Sequence, residues 1–270
     1  MNLISQILRK KRQNSSYALI PFVTAGYPSI DLTVELLLTL GKKGADVIEL
    51  GIPYSDALAD GHLIQNASKV ALQNGVYVDE VINILKRIDK KINVPIIIFT
   101  YYNPILVRGL SSFVQEISQV GVKGLIIPDL PIEETDYVLK LCLEYRLELI
   151  FFISPISSQQ RILNILSKAP GCVYLVSSTG VTGIRDSISE NASYLCNYIN
   201  SKTDKQIMLG FGISSPSQVS KFLHSNLNID AIVIGSAFTR IIVNNSSVDY
   251  NLMLKEVGNF CEQMKSSLNY

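Results

Sequence analysis

Residues 47 to 65 read Val-Ile-Glu-Leu-Gly-Ile-Pro-Tyr-Ser-Asp-Ala-Leu-Ala-Asp-Gly-His-Leu-Ile-Gln. Glu49 interrupts an otherwise apolar, strand-like run. It therefore either faces a cavity or imposes a desolvation cost that the rest of the fold must offset. Asp60 follows on a polar loop. A carboxyl fixed at a strand end and a second one on the adjoining loop can divide acid and base work, provided their surroundings push their pKa values apart. Each also has a plainer reading: a salt bridge for Glu49, and an N-cap for the helix beginning near His62 in the case of Asp60. The cap alone leaves unexplained why Asp56 and Asp60 share one loop directly after an apolar run broken by Glu.

Three glycine-bearing turns form a second constellation: Gly180 to Gly183, Gly210 to Gly212, and Gly235-Ser236. Glycine lets backbone amides approach an anion closely. A helix opening at Gly235 adds its positive end, and the Ser236 hydroxyl adds a donor. Together they predict a phosphate-bearing ligand held without Lys or Arg, although any one of them alone is more often just a turn. Phe22, Tyr102, Ile153, Tyr174 and Phe211 fall at or near strand ends, where they either wall a flat apolar pocket or simply fill the core. His62 reads as a solvated helix-start residue rather than a partner of Asp60.

Eight apolar runs position these groups: 17–23, 46–50, 95–100, 124–127, 147–153, 172–176, 206–209 and 229–234. They are rich in Val, Ile, Leu and Phe without strict alternation, as parallel strands covered on both faces are. The segments between them carry helical periodicity, for example Leu32, Val34, Leu37, Leu38 and Leu40. Eight such units predict an α/β fold, a single (β/α)8 barrel spanning 1–270, with additional helices at 3–11 and 78–91. A doubly wound open sheet is the competing arrangement. It is disfavoured because no Gly-x-Gly-x-x-Gly turn follows the first strand, and because the candidate residues follow several different strands. In a barrel, Glu49, Asp60, Asp129, Thr182, Gly212 and Ser236 all converge on the carboxyl ends of the strands.

Composition narrows the chemistry further. With 24 basic and 23 acidic side chains in 270 residues, the charge balance advertises neither nucleic acid nor an anionic membrane as a partner. Cys142, Cys172, Cys196 and Cys261 are widely spaced and read as buried thiols in a reducing compartment, and two histidines are too few for a transition-metal site. No Lys lies near the carboxyl end of an expected strand, which disfavours a Schiff-base aldolase. No stretch has the length of a membrane span or the pattern of a secretory signal, so a cytoplasmic or plastid-stromal protein is expected.

The Glu49 to Asp60 segment resembles the signature of the tryptophan synthase alpha subunit family. So do Pro21-Phe22-Val23-Thr24-Ala25-Gly26-Tyr27-Pro28, Pro128-Asp129-Leu130-Pro131-Ile132-Glu133-Glu134, Gly180-Val181-Thr182-Gly183 and Gly210-Phe211-Gly212-Ile213-Ser214-Ser215-Pro216, in the family's order. Ala57 and His62 stand where that family often has Pro, and Thr100 where it can carry an apolar residue. The resemblance implies retro-aldol cleavage of indole-3-glycerol phosphate to indole and glyceraldehyde 3-phosphate. Glu49 and Asp60 are then the catalytic pair, with Asp60 bonding the indole nitrogen. Phe22, Tyr102, Tyr174, Thr182, Gly183, Phe211, Gly212, Gly235 and Ser236 form the substrate site, and Thr182 lies on a closing loop. It further implies no cofactor in this chain, and a pyridoxal-phosphate-dependent beta subunit as partner in an alpha2beta2 heterotetramer, met by Pro53, Tyr54 and Asp56. Another phosphate-binding barrel enzyme, or a silent barrel that only activates its partner, remain as alternatives.

Overall fold

In the computed structural model, which describes residues 2–176, 190–210, 212–223, 227–245 and 249–268, the eight apolar runs become strands. They are β1 (Ala18–Thr24), β2 (Ile48–Gly51), β3 (Ile96–Phe99), β4 (Gly124–Ile126), β5 (Glu148–Ile153), β6 (Val173–Val176), β7 (Ile207–Gly210) and β8 (Ala231–Ile234). All are parallel and paired in chain order, and β8 pairs with β1 to close a barrel. This is the expected (β/α)8 barrel, and the competing open sheet is excluded.

A period of two sorts each strand between two layers. On β2, Ile48 and Leu50 face outward into a layer shared with the helices, while Val47 belongs to the barrel interior with Ile20, Phe22, Ile97 and Met208. Glu49 and Gly51 share the inward parity of Val47. The inner strand faces are therefore a packed core that opens only at the carboxyl ends, where the loops begin. Among the described residues, no helix is long and apolar enough to cross a membrane.

The opposite end is stoppered by α1 (Leu3–Gln13), whose Ile4 and Leu8 complete the inner core. Three carboxylates at strand beginnings tie this helix down. Glu148 accepts from the Ser5 N–H (3.1 Å), the Ser5 hydroxyl and the Cys172 N–H (2.8 Å). Asp230 receives two bonds from the Arg12 guanidinium (2.6 and 2.7 Å) and one from the Ile207 N–H (2.8 Å). Asp46 bonds the Leu19 N–H (2.8 Å) and pairs with both Lys11 and Lys265. Each carboxylate therefore serves a strand edge and a side chain from a helix at once, which is how buried charge is kept satisfied.

Among the described residues, α3 (His62–Gln73), α5 (Tyr102–Arg108) and α11 (Ser236–Asn245) follow the carboxyl ends of β2, β3 and β8. The expected extra helix appears as α4 (Val78–Ile88), with five apolar residues buried along one face.

Candidate active site

Glu49 pairs in register with Phe22 of β1 and Ile97 of β3, so it emerges on the inner face near the barrel mouth. It is 1 % exposed, and its Oε2 has no hydrogen-bond partner among the described residues. Burial, and secondly the charge of Asp60, push its pKa from the ordinary 4.5 up to about 8. A neutral acid at physiological pH is the consequence.

Asp60 closes the loop that runs from Pro53. It does not cap α3: Gly61 occupies the cap position and makes no side-chain bond. Instead the Asp60 carboxylate accepts the Tyr101 hydroxyl proton at 3.0 Å, and the same hydroxyl oxygen accepts from the Ala59 N–H at 3.0 Å. Burial raises the Asp60 pKa to about 6 while the Tyr101 bond holds it back. Two neighbouring carboxyls thus titrate about two pH units apart, with the loop acid ionising first.

An aromatic wall continues the site. Phe22 meets Phe99 edge-on at 5.7 Å, Phe99 lies 6.1 Å from Tyr101 and 6.2 Å from Phe152, and Phe152 meets Tyr174 at 4.6 Å. The Tyr174 phenol is held protonated by burial and by the charges of Glu49 and Asp60. A Cβ on Gly51 would lie 2.6 Å from the Phe22 ring, and one on Gly210 would collide with the Tyr174 ring. Both glycines are what the aromatic wall requires, since any larger residue would displace it.

Two of the candidate wall residues, Tyr102 and Ile153, pack as core instead. The Tyr102 backbone N–H bonds the Asp129 carboxylate (2.9 and 3.1 Å), and its side chain packs on the outer layer. Ile153 likewise belongs to the outer layer. The inward positions are Tyr101 and Phe152, one residue earlier in each case, because the two-residue period of the strands allows only one parity to face the cavity. Asp129 is used to tie the start of α5 rather than left open to the site. A further inward group, Thr24, shares the parity of Phe22; its buried Oγ1 also has no partner among the described residues.

At the end of β8, Gly235 and Ser236 open α11, whose first turn carries no acidic residue. The Gly235 carbonyl accepts from the Thr239 N–H at 3.0 Å, so the amides that precede Thr239 at the helix start have no partner within the helix. Such a terminus attracts an anion. Gly235 sits against Phe22 and Ile64, and Gly212 is exposed beyond β7. Thr182, Gly183 and Phe211 lie outside the described residues. His62 is exposed at the start of α3.

A closed (β/α)8 barrel that gathers two carboxyls, an aromatic wall and a helix start at the carboxyl ends of its strands defines the class: a parallel barrel with its candidate active site at the strand mouth. Residues 8–269 match the family described as Tryptophan synthase alpha chain, and the chain belongs to that family. It is 56% identical over 269 residues to the tryptophan synthase alpha chain of Gracilaria tenuistipitata var. liui, covering 100% of this chain and 98% of the relative. It is 42% identical to that of Synechocystis sp., covering all of both chains. Among solved structures, the tryptophan synthase subunit alpha of Legionella pneumophila superposes with a TM-score of 0.86 at 31% identity, covering 100% of this chain and 99% of the other.

Proposed function

We propose that this chain cleaves indole-3-glycerol phosphate to indole and glyceraldehyde 3-phosphate as a carbon–carbon lyase. The observation that carries the reading is the separation of the two carboxyls: near neutral pH Glu49, at about 8, holds its proton, while Asp60, at about 6, has lost its own. Glu49 gives its proton to the ring carbon that bears the glycerol chain, leaving positive charge centred on the ring nitrogen. The Asp60 carboxylate accepts the hydrogen bond of that nitrogen and stabilises the charge. Ionised Glu49 then removes the proton of the adjacent side-chain hydroxyl. The carbon–carbon bond breaks, its electron pair restores the ring, the oxygen becomes the aldehyde, and Glu49 ends protonated as it began. The aromatic slot suits the indole, and the start of α11 suits the phosphate, so both substrate ends are fixed during the transfer.

The reading extends to a partner, a beta subunit carrying the pyridoxal phosphate. Leu58, Val107 and Ile156 are 84%, 82% and 81% exposed, and follow β2, β3 and β5 at the same mouth. Large apolar side chains left exposed on three segments that follow barrel strands support docking of a second protein there. A cleft of about 660 Å³ between the Tyr54–Leu58 stretch and α3 lies beside them.

The test is indole release from indole-3-glycerol phosphate by the purified chain, alone and with a cognate beta subunit. Cleavage that beta accelerates is expected. No cleavage under either condition would overturn the lyase reading, and cleavage without association would leave a stand-alone lyase.

A further inference from the structure

The loop that carries Asp60 is held from two sides. On the cavity side the Tyr101 hydroxyl accepts a hydrogen bond from the Ala59 N–H and donates one to the Asp60 carboxylate. On the other side the Gln65 carboxamide, from the first turn of α3, donates one N–H to the Ala57 carbonyl and the other to the Asp60 carbonyl, both at 3.0 Å. The same four residues are closed on themselves by the Asp60 N–H bonding the Ala57 carbonyl at 3.1 Å. A primary amide has two donor hydrogens, and here both are spent on the two ends of one turn. α3 itself starts at His62, immediately after Asp60, and Gln65 is anchored in it by its N–H to the Gly61 carbonyl at 2.9 Å.

We infer that Gln65 is a positioning residue for Asp60: its carboxamide staples the 57–60 turn to α3 and so aims the loop carboxylate into the barrel mouth. The inference rests on the functional reading above only for its kinetic consequence. Gln65 lines the cleft outside the loop, so it cannot touch a substrate inside the barrel; it acts through the backbone on either side of Asp60. With Ala57 in this turn in place of a φ-restricted proline, the turn gains its rigidity from that staple. The titratable groups facing the Asp60 carboxylate are Glu49 from β2, Tyr101 beyond β3 and Tyr174 from β6. His62 and Lys69 of α3 are exposed.

The experiment compares Gln65→Met, which keeps length without donors, and Gln65→Glu, which turns an acceptor toward two carbonyls, with the full-length wild type. The loss of two hydrogen bonds predicts a fall of roughly tenfold in kcat for Gln65→Met and more for Gln65→Glu at pH 8. KM should change little, because the phosphate end is held at α11. A looser turn lets water reach Asp60, so its carboxyl titrates lower, toward the ordinary range, and the acidic limb of kcat moves down with it. Carbon-13 NMR titration of Asp60 without substrate reads that movement independently of any reaction. An unmoved Asp60 titration in both variants overturns the inference, even if kcat falls alongside thermal stability. A moved titration in a chain whose wild type cleaves nothing would leave the staple standing and overturn the reaction.

Discussion

Glu49→Gln separates the acid role of Glu49 from a merely structural one, because it leaves the shape and removes the proton. The displacement of its pKa from 4.5 to about 8, at about 1.4 kcal/mol per pH unit, amounts to on the order of 5 kcal/mol that ionising this side chain costs the native state. The sign follows from which state loses the proton first. As pH rises, the unfolded chain releases it near 4.5 and the folded chain only near 8, so the cost grows across that window, is complete above it and is absent below it. Gln carries no such cost. Its amide inherits the partnerless site, which subtracts a penalty that does not depend on pH. The stability of Glu49→Gln relative to wild type should therefore rise by about 3 kcal/mol between pH 5.5 and 8.5. Urea unfolding of both proteins at the two pH values, with m-values checked for equality, measures it. Indole release by the variant should fall at least a hundredfold, since the amide has no proton to give. A stability gap that stays constant to within about 0.5 kcal/mol would refute the argument: Glu49 would then not be held protonated, and its role as the initial acid would go with it.

Tyr101→Phe removes the hydroxyl that restrains the Asp60 pKa, so the acidic limb of the pH–rate profile should move upward and kcat should fall about tenfold; an unmoved limb argues against the contact. Gly235→Ala puts a Cβ in tight contact, 3.3 Å from the Ile64 Cδ1 tip and 3.4 Å from Phe22, so those side chains must yield by a few tenths of an ångström, whereas Gly235→Asp should weaken binding of glyceraldehyde 3-phosphate about tenfold or more by putting charge at the helix start. Calorimetry showing equal affinities would misplace the phosphate. Arg12→Ala should lower unfolding free energy by about 3 kcal/mol, because Asp230 is wholly buried and loses both guanidinium bonds; a loss under about 0.5 kcal/mol in denaturant titration would contradict that.

The barrel was legible because eight apolar runs recur at even spacing, and apolarity survives an error of a residue or two in each boundary. The site was less forgiving. Glu49 and Asp60 stood out because a carboxyl in an apolar run and one beside a glycine each break a local pattern. In Phe99-Thr100-Tyr101-Tyr102, by contrast, two adjacent tyrosines offer the same chemistry at opposite parities. Only the register of β3 against β2 decides that Tyr101 faces Asp60. Phe152 and Ile153 pose the same choice on β5. Thr24 and Gln65 carried no signal, since a threonine on a strand and a glutamine on a helix are ordinary until a neighbour is or is not in reach. Acidic residues at the beginnings of β5 and β8 did carry one: Glu148 and Asp230 each precede or open an apolar strand, where a charge must find partners.

Those two acids make the stopper at the closed end of the barrel a matter of timing. Ser5 lies 143 residues before Glu148, and Arg12 lies 218 before Asp230. During synthesis α1 is thus made long before the strands that will receive it, and it cannot seat until nearly the whole barrel exists. Contacts that span so much chain are entropically expensive to form early, so they are expected late on the folding route. Until then Ile4 and Leu8 lack most of the inner core they complete, and the two acids keep only their backbone N–H partners, Cys172 for Glu148 and Ile207 for Asp230. The helix nearest the beginning of the sequence is in this sense the last stave driven home, and a nascent barrel lacking its later strands stays open at both ends.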